Sequence, residues 1–113
     1  MKKLLVLVLL LALFAVPADA LYSHGTIDNE CDYSDFKLSG EYVSMVIENK
    51  TDKRIEFYAK LFFLSLFDDV LAFSYINVGY IAPKGEAKYR AAVYQNSGKG
   101  AKDAMEIEWQ RVR

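Results

Sequence analysis

LSLFDDVLAFSYINVGYIAPKGE, residues 64–86, is apolar and aromatic almost throughout, but Asp68 and Asp69 interrupt it early and Pro-Lys-Gly closes it. Adjacent acids suit a tight hairpin turn, because aspartate side chains bond nearby backbone amides and tolerate unusual dihedral angles. The stretch lacks the uninterrupted run of about 18 apolar residues that a transmembrane helix needs. It instead predicts a turn followed by a long strand over residues 70–80, which ends at the proline-containing turn.

The preceding residues, 55–67, begin with strict apolar alternation and become apolar on both sides from Leu61 onward. A period of two predicts a strand. The doubly apolar end indicates burial on both faces, a bulge that swaps faces, or cover from a loop. An α-helix is the competing interpretation, but phenylalanine, isoleucine and tyrosine are poor helix formers and no N-cap precedes a helical repeat. We therefore predict a strand here.

Further strands are predicted at residues 36–38, 42–47, 88–94 and 105–109, separated by polar or glycine-containing turns. Residues 95–103 have the composition of a flexible loop. Five or six strands with frequent turn signals, and no convincing helix after residue 20, predict an all-β fold. Among all-β folds we expect a small antiparallel sandwich.

The first twenty residues, MKKLLVLVLLLALFAVPADA, have the layout of a cleavable signal peptide. A basic start precedes an apolar run shorter than the roughly 20 residues of a membrane-spanning helix, and small residues stand at the end. We predict cleavage after Ala20 and export to the periplasm or the medium, with no membrane span left. An uncleaved N-terminal anchor is the alternative.

The remainder divides into an extended lead-in, residues 21–35, that is expected to fray, and one β-sandwich domain, residues 36–113. Cys31 is the single cysteine, so no internal disulfide can form. No lipoprotein cleavage box precedes it, because the residues before it are Asp28, Asn29 and Glu30. We expect a partly buried free thiol, and an intermolecular disulfide is the alternative.

Nucleic acid is not expected as a partner. The chain has 14 Lys and Arg against 15 Asp and Glu, which gives a formal net charge of −1, and the basic residues are scattered among acids. Such a balance provides no positive stripe for a phosphate backbone.

No catalytic, cofactor-binding or metal-binding residue is predicted. His24 is the only histidine, and with Cys31 it provides too few ligands for a structural zinc site and no rigid frame for a nucleophile pair. Asp68 and Asp69 are better explained as a hairpin turn than as part of a calcium site, which needs six or more oxygens. Asn49 begins a formal glycosylation sequon, Asn-Lys-Thr, which we interpret as a turn.

The tyrosines are the one feature that suggests a binding surface. Eight are present, and they cannot all be central core: Tyr22, Tyr33, Tyr42, Tyr58, Tyr75, Tyr80, Tyr89 and Tyr94. Tyrosines on an exposed sheet face would suit contact with protein or glycan. The alternative is that each ring lies flat on the core with only its hydroxyl in water.

Three segments, SGEYVSMVIENKT, FFLSLFDDVL and YIAPKGE, resemble the FxLYD domain family, small immunoglobulin-like sandwiches of exported bacterial and archaeal proteins. The resemblance covers about residues 36–109. In the name motif, Leu64 stands in place of Phe and Phe67 in place of Tyr, while Leu66 and Asp68 match. Asn49 corresponds to the family's turn asparagine, and Pro83 and Gly85 correspond to its later turn, with Lys84 inserted between them. The resemblance implies an extracytoplasmic binding or structural module without catalytic residues.

The leading hypothesis is a non-enzymatic exported module that binds another cell-envelope protein, or itself, through a sheet face or an edge strand. The alternative is a carrier of small apolar ligands, in which Phe57, Phe62, Phe63 and Phe73 surround a cavity. A hydrolase is the least favoured class, since it would need a cleft that holds several charged groups.

Overall fold

Every extended run predicted from the sequence forms a strand in the computed structural model, which describes residues 23–95 and 100–113. No α-helix forms among these residues, so the all-β prediction is confirmed. The predicted signal peptide and its cleavage site after Ala20 lie outside the described residues. The strands are β1 Gly25–Thr26, β2 Cys31–Ser39, β3 Tyr42–Asn49, β4 Ile55–Leu64, β5 Val70–Ile81, β6 Glu86–Gln95 and β7 Glu106–Arg111, with a short 3₁₀ helix at Ala101–Asp103.

The strands form one curled antiparallel sheet with the order β1-β2-β3-β6-β5-β4-β7. β6 connects its two halves. Its residues 86–92 pair with β3, while Val93, Tyr94 and Gln95 pair with β5. The first half of the sheet therefore consists of β1, β2, β3 and the start of β6, and the second half consists of β5, β4, β7 and the end of β6.

Aromatic rings from the two halves meet in the core. The ring centroids of Tyr33 on β2 and Trp109 on β7 are 5.5 Å apart, and those of Phe36 and Phe63 are 6.3 Å apart. Side chains alternate along a strand, so each strand contributes every second residue to this core. The largest fully buried side chains are Phe57, Phe63, Ile47, Leu61, Ile76 and Val43.

A bulge explains why the end of β4 is apolar on both sides. The pairing of β4 with β5 shifts register between Phe63 and Leu64, so that both side chains are buried. The strand then ends, three residues earlier than the sequence predicted. Leu66 and Phe67 belong to the following turn and are 67% and 83% exposed.

The polar N-terminal segment contributes more to the sheet than the sequence predicted. β2 begins at Cys31, so the predicted domain boundary between residues 35 and 36 falls inside a strand. Cys31 and Tyr33 are buried while the residues between and after them are polar, which is an alternation hidden by the composition of the segment. At the end of the predicted loop over residues 95–103, Ala101–Asp103 form a 3₁₀ helix in which Ala101 is buried.

Among the residues that the structure describes, none of the helical segments is long and apolar enough to cross a membrane.

Candidate binding face

The outer face of the second half, on the side away from the core, carries a row of aromatic side chains. In the cross-strand registers Glu108 pairs with Phe62, Phe62 with Phe73, and Phe73 with Tyr94. These four residues come from β7, β4, β5 and β6 in turn. Their neighbours along each strand point into the core, so alternation directs this row outward.

Three rings of this face form a cluster, which we call the three-ring cluster: Phe73, Tyr75 and Tyr94. Phe73 stacks on Tyr94 with centroids 5.4 Å apart and meets Tyr75 edge-on at 5.6 Å, while Tyr75 and Tyr94 are 6.0 Å apart. Each such pair stabilises its geometry by about 0.5–1.5 kcal/mol beyond area burial. Tyr75 is 40% and Tyr94 is 51% exposed, so the rings are held in place yet remain accessible.

The β4–β5 turn lies beside this face and is held by Ser65. The Ser65 hydroxyl accepts hydrogen bonds from the amides of Phe67 and Asp69, and the Asp68 amide donates to the Ser65 carbonyl. Asp68 adopts a φ of 65°, as an aspartate can. The predicted turn is present. Its backbone amides donate to the side chain of Ser65, however, and not to the side chains of Asp68 or Asp69 as the sequence predicted.

Carboxylates line one end of the face. Asp68, Glu106 and Glu108, which we call the acidic rim, surround a concavity of about 400 Å³ together with Leu64, Val70 and Ile107. A side-chain hydrogen bond with Asp68 raises the pKa of Glu106 above its ordinary value, and the charges of Asp68 and Glu108 add to this effect. The carboxylates thus meet in a locally negative field.

Cys31 is a fully buried free thiol. Burial raises its pKa to about 11, an effect that the nearby Arg111 guanidinium only partly offsets. The thiol is therefore protonated at neutral pH and is a poor nucleophile. An intermolecular disulfide through Cys31 would require the core to open first.

Arg111, which the sequence analysis did not single out, fastens the β1–β2 turn to β7. Its Nη1 atom donates to Asp28 Oδ2 at 2.8 Å and to Glu30 Oε1 at 2.9 Å, and its Nη2 atom donates to the Glu56 carbonyl. Burial would raise the pKa of Asp28, but the hydrogen bonds from Arg111 and from the Glu30 and Cys31 amides outweigh it and hold the pKa below 3.8. Local patterns in the sequence do not reveal a contact between residues as far apart as Glu30 and Arg111, which are separated by 81 positions.

The structure does not bring the other chemically active residues together. His24 is exposed and its Nδ1 atom lies 3.1 Å from the Ser23 hydroxyl, whereas Cys31 is in the core. Within the described ranges, no group of three or more His, Cys, Asp and Glu side chains has the arrangement of a metal site.

The four phenylalanines of the carrier hypothesis lie on opposite faces. Phe57 and Phe63 are fully buried in the core, while Phe62 and Phe73 belong to the outer row. Strand alternation separates them, so they do not surround one cavity.

Asn49 is fully buried and joins two turns. Its Nδ2 atom donates to the carbonyls of Lys53, Ile81 and Ala82, and its Oδ1 atom accepts from the amide and hydroxyl of Thr51. The amide nitrogen that a glycan would modify is therefore enclosed in the folded chain. Asn49 thus stabilises the turn after β3, as the sequence predicted.

No protein-family model matches the chain, and no curated protein or solved structure is significantly similar to it.

Proposed function

We propose that the protein is a non-enzymatic exported module, an immunoglobulin-like sandwich similar to the FxLYD domain, that binds another cell-envelope protein through its outer aromatic face. The observation that carries the proposal is the three-ring cluster. Large, half-exposed rings fixed by their neighbours offer contact area at low cost in conformational entropy, as the aromatic anchors of protein interfaces do.

The arrangement of phenylalanines favours this module over the carrier. A carrier needs a concave apolar site that encloses most of its ligand. Of the buried phenylalanines, Phe63 packs against Phe36 and Phe57 against Trp109, and the outer ones face the surface.

The test is affinity purification of the tagged full chain from the cells that make it. The wild type is compared with the double variant Tyr75→Ser/Tyr94→Ser. The double variant Tyr42→Ser/Tyr80→Ser is the matched control, because it removes two equally exposed tyrosines outside the three-ring cluster. We expect a protein that co-purifies with the wild type and the control but is lost with the cluster variant.

Self-association through the same face would instead appear in sedimentation velocity as a concentration-dependent dimer that the cluster variant abolishes. Equal recovery of every co-purifying protein by all three chains, with no such dimer, would refute the proposed face. N-terminal sequencing of the exported protein tests the signal peptide separately, since a mature chain should begin at Leu21.

A further inference from the structure

The two ends of the strand order differ in how their backbone is covered. On the outer side of β2, β1 pairs Gly25 with Tyr33, and the Phe36 amide donates to the Ser23 carbonyl at 3.1 Å. β7 ends the order at the other side and pairs only with β4 among the described strands. Among the described residues, the outer side of β2 is therefore partly covered, whereas no strand pairs with the outer side of β7.

β7 has few of the features that protect natural edge strands. Its register with β4 runs without a shift from Ala59 and Arg111 to Leu64 and Glu106, whereas the β2–β3 and β4–β5 pairs both contain bulges. It has no proline, glycine or lysine. Natural edges are defended by proline, by bulges, by charged side chains or by inward charges. The defence that β7 does have is charge, from Glu106, Glu108 and the inward-pointing Arg111. Within residues 23–95 and 100–113, the backbone of residues 106–110 has no strand partner other than β4.

The surroundings of this edge are negative. None of the carboxylates of the acidic rim, Asp68, Glu106 and Glu108, forms an ion pair with another described residue. Lys60 lies opposite Gln110 on the same half of the sheet and is not ion-paired with the rim. A cationic segment placed along β7 would therefore find three acidic side chains that have no basic partner among the described residues.

Apolar contacts are also available beside the edge. The concavity at the acidic rim is floored by Leu64, Val70 and Ile107. A second concavity of about 310 Å³ continues along β7 and is lined by Phe62, Val70, Glu108, Trp109 and Gln110. Phe62 links it to the three-ring cluster through its pairing with Phe73.

A second copy of the chain brings no cationic side chain opposite Glu106 or Glu108 in the three self-paired registers centred on Ile107, Glu108 and Trp109. In two-fold antiparallel pairing, residues directly opposite each other must point to the same face, so the register is centred on one residue. Centring on Glu108 places two copies of Glu108 opposite each other, and centring on Ile107 places Glu106 opposite Glu108. Like charges directly opposite are destabilising. Centring on Trp109 places Ile107 opposite Arg111 and Glu108 opposite Gln110, so no opposite charges meet.

We infer that β7 accepts an extended cationic segment of a partner protein by strand addition. The segment's backbone pairs with residues 106–110, its Lys or Arg side chains face the acidic rim, and its alternate apolar side chains face Ile107 and Trp109. This inference rests on the proposed function and names the chemistry of the partner.

The test uses three six-residue peptides, matched in length to the six residues of β7. The first alternates lysine and valine, the second alternates glutamate and valine, and the third is the lysine peptide with N-methylated backbone amides that cannot donate. Binding to the full chain is followed by the fluorescence of Trp109, the single tryptophan, and by hydrogen exchange of the β7 amides.

We expect the lysine peptide to bind at least about tenfold more tightly than either other peptide and to slow exchange of β7 amides that are fast in the free protein. The Glu106→Lys/Glu108→Lys variant should weaken binding by about tenfold, while Glu48→Lys, an exposed strand glutamate of the first half, should change it by less than about twofold.

Equal affinity for the lysine and glutamate peptides, or tight binding of the methylated peptide, would overturn the inference. Unchanged exchange in β7 during binding would overturn it as well. Co-purification that depends on Tyr75 and Tyr94 would still support the proposed function in any of these cases, so the two failures are distinguishable.

Discussion

Asn49 offers the sharpest test of how the fold is held, because its side chain is 0% exposed and makes five hydrogen bonds to two turns. A hydrogen bond of this kind contributes about 1 kcal/mol net, and a carbonyl left buried without a donor costs about 1–3 kcal/mol. We expect Asn49→Ala to lower the free energy of unfolding by about 3–5 kcal/mol. That is a large share of the roughly 5–15 kcal/mol typical of a domain.

Asn49→Asp separates hydrogen bonding from packing. Aspartate has the shape of asparagine, but it turns the donating Nδ2 into an oxygen that faces the carbonyls of Lys53, Ile81 and Ala82. We expect this variant to be at least as unstable as the alanine variant at neutral pH, and to recover part of the loss at acidic pH, where the buried carboxyl becomes protonated.

The assay is urea unfolding followed by circular dichroism, with Asn77→Ala as the matched control. Asn77 is an exposed asparagine on β5, so its replacement should change stability by less than about 0.5 kcal/mol. An aspartate variant clearly more stable than the alanine variant at neutral pH would refute the reasoning. So would an alanine variant that unfolds with the control.

Three further perturbations test other parts of the structure. Arg111→Met should cost about 1–2 kcal/mol in urea unfolding, discounted because Asp28 and Glu30 are partly exposed. Because folding lowers the pKa of Asp28, its ionised carboxylate stabilises the fold fully above pH 3.8, and this stabilisation is lost as the pH falls through the folded pKa. The variant should therefore lose less stability than the wild type over this acidic range. Cys31 should react with iodoacetamide at least about 100-fold more slowly in the folded chain than in urea. Its raised pKa also predicts that stability falls between pH 9.0 and about 11 more steeply in the wild type than in Cys31→Ala, and equal slopes would contradict the assignment. Gly79→Ala should cost about 1–2 kcal/mol, since its φ is +87° while no atom lies within 4 Å of the added Cβ; an unchanged urea midpoint would show that the backbone relaxes freely.

The strands were predictable because apolar alternation is a local property. Residues 55–64 and 105–109 show it directly, and both regions form the expected strands. The start of β2 was not predicted, because Cys31 and Tyr33 alternate with polar residues in a segment whose composition is that of a loop. A bulge between Ser34 and Lys37, with Asp35 at a φ of 51°, then shifts the alternation.

The candidate site was only partly predictable. The tyrosine content left two interpretations open, a surface patch or rings lying flat on the core, and the chain order does not show that Tyr94 on β6 lies beside Phe73 on β5. That contact depends on β6 changing its partner strand at Val93. The ion pairs of Arg111 were not predicted for the same reason, since they join the β1–β2 turn to the last strand, β7. Such contacts can be predicted only when the order of the strands in the sheet is known.

The sharing of β6 has a consequence for how the molecule opens. The two halves share this strand and pack their core rings against each other, as Tyr33 does with Trp109, so melting of one half would expose the core of the other. The domain is thus expected to unfold in a single cooperative step, without a half-open intermediate that proteases could cut.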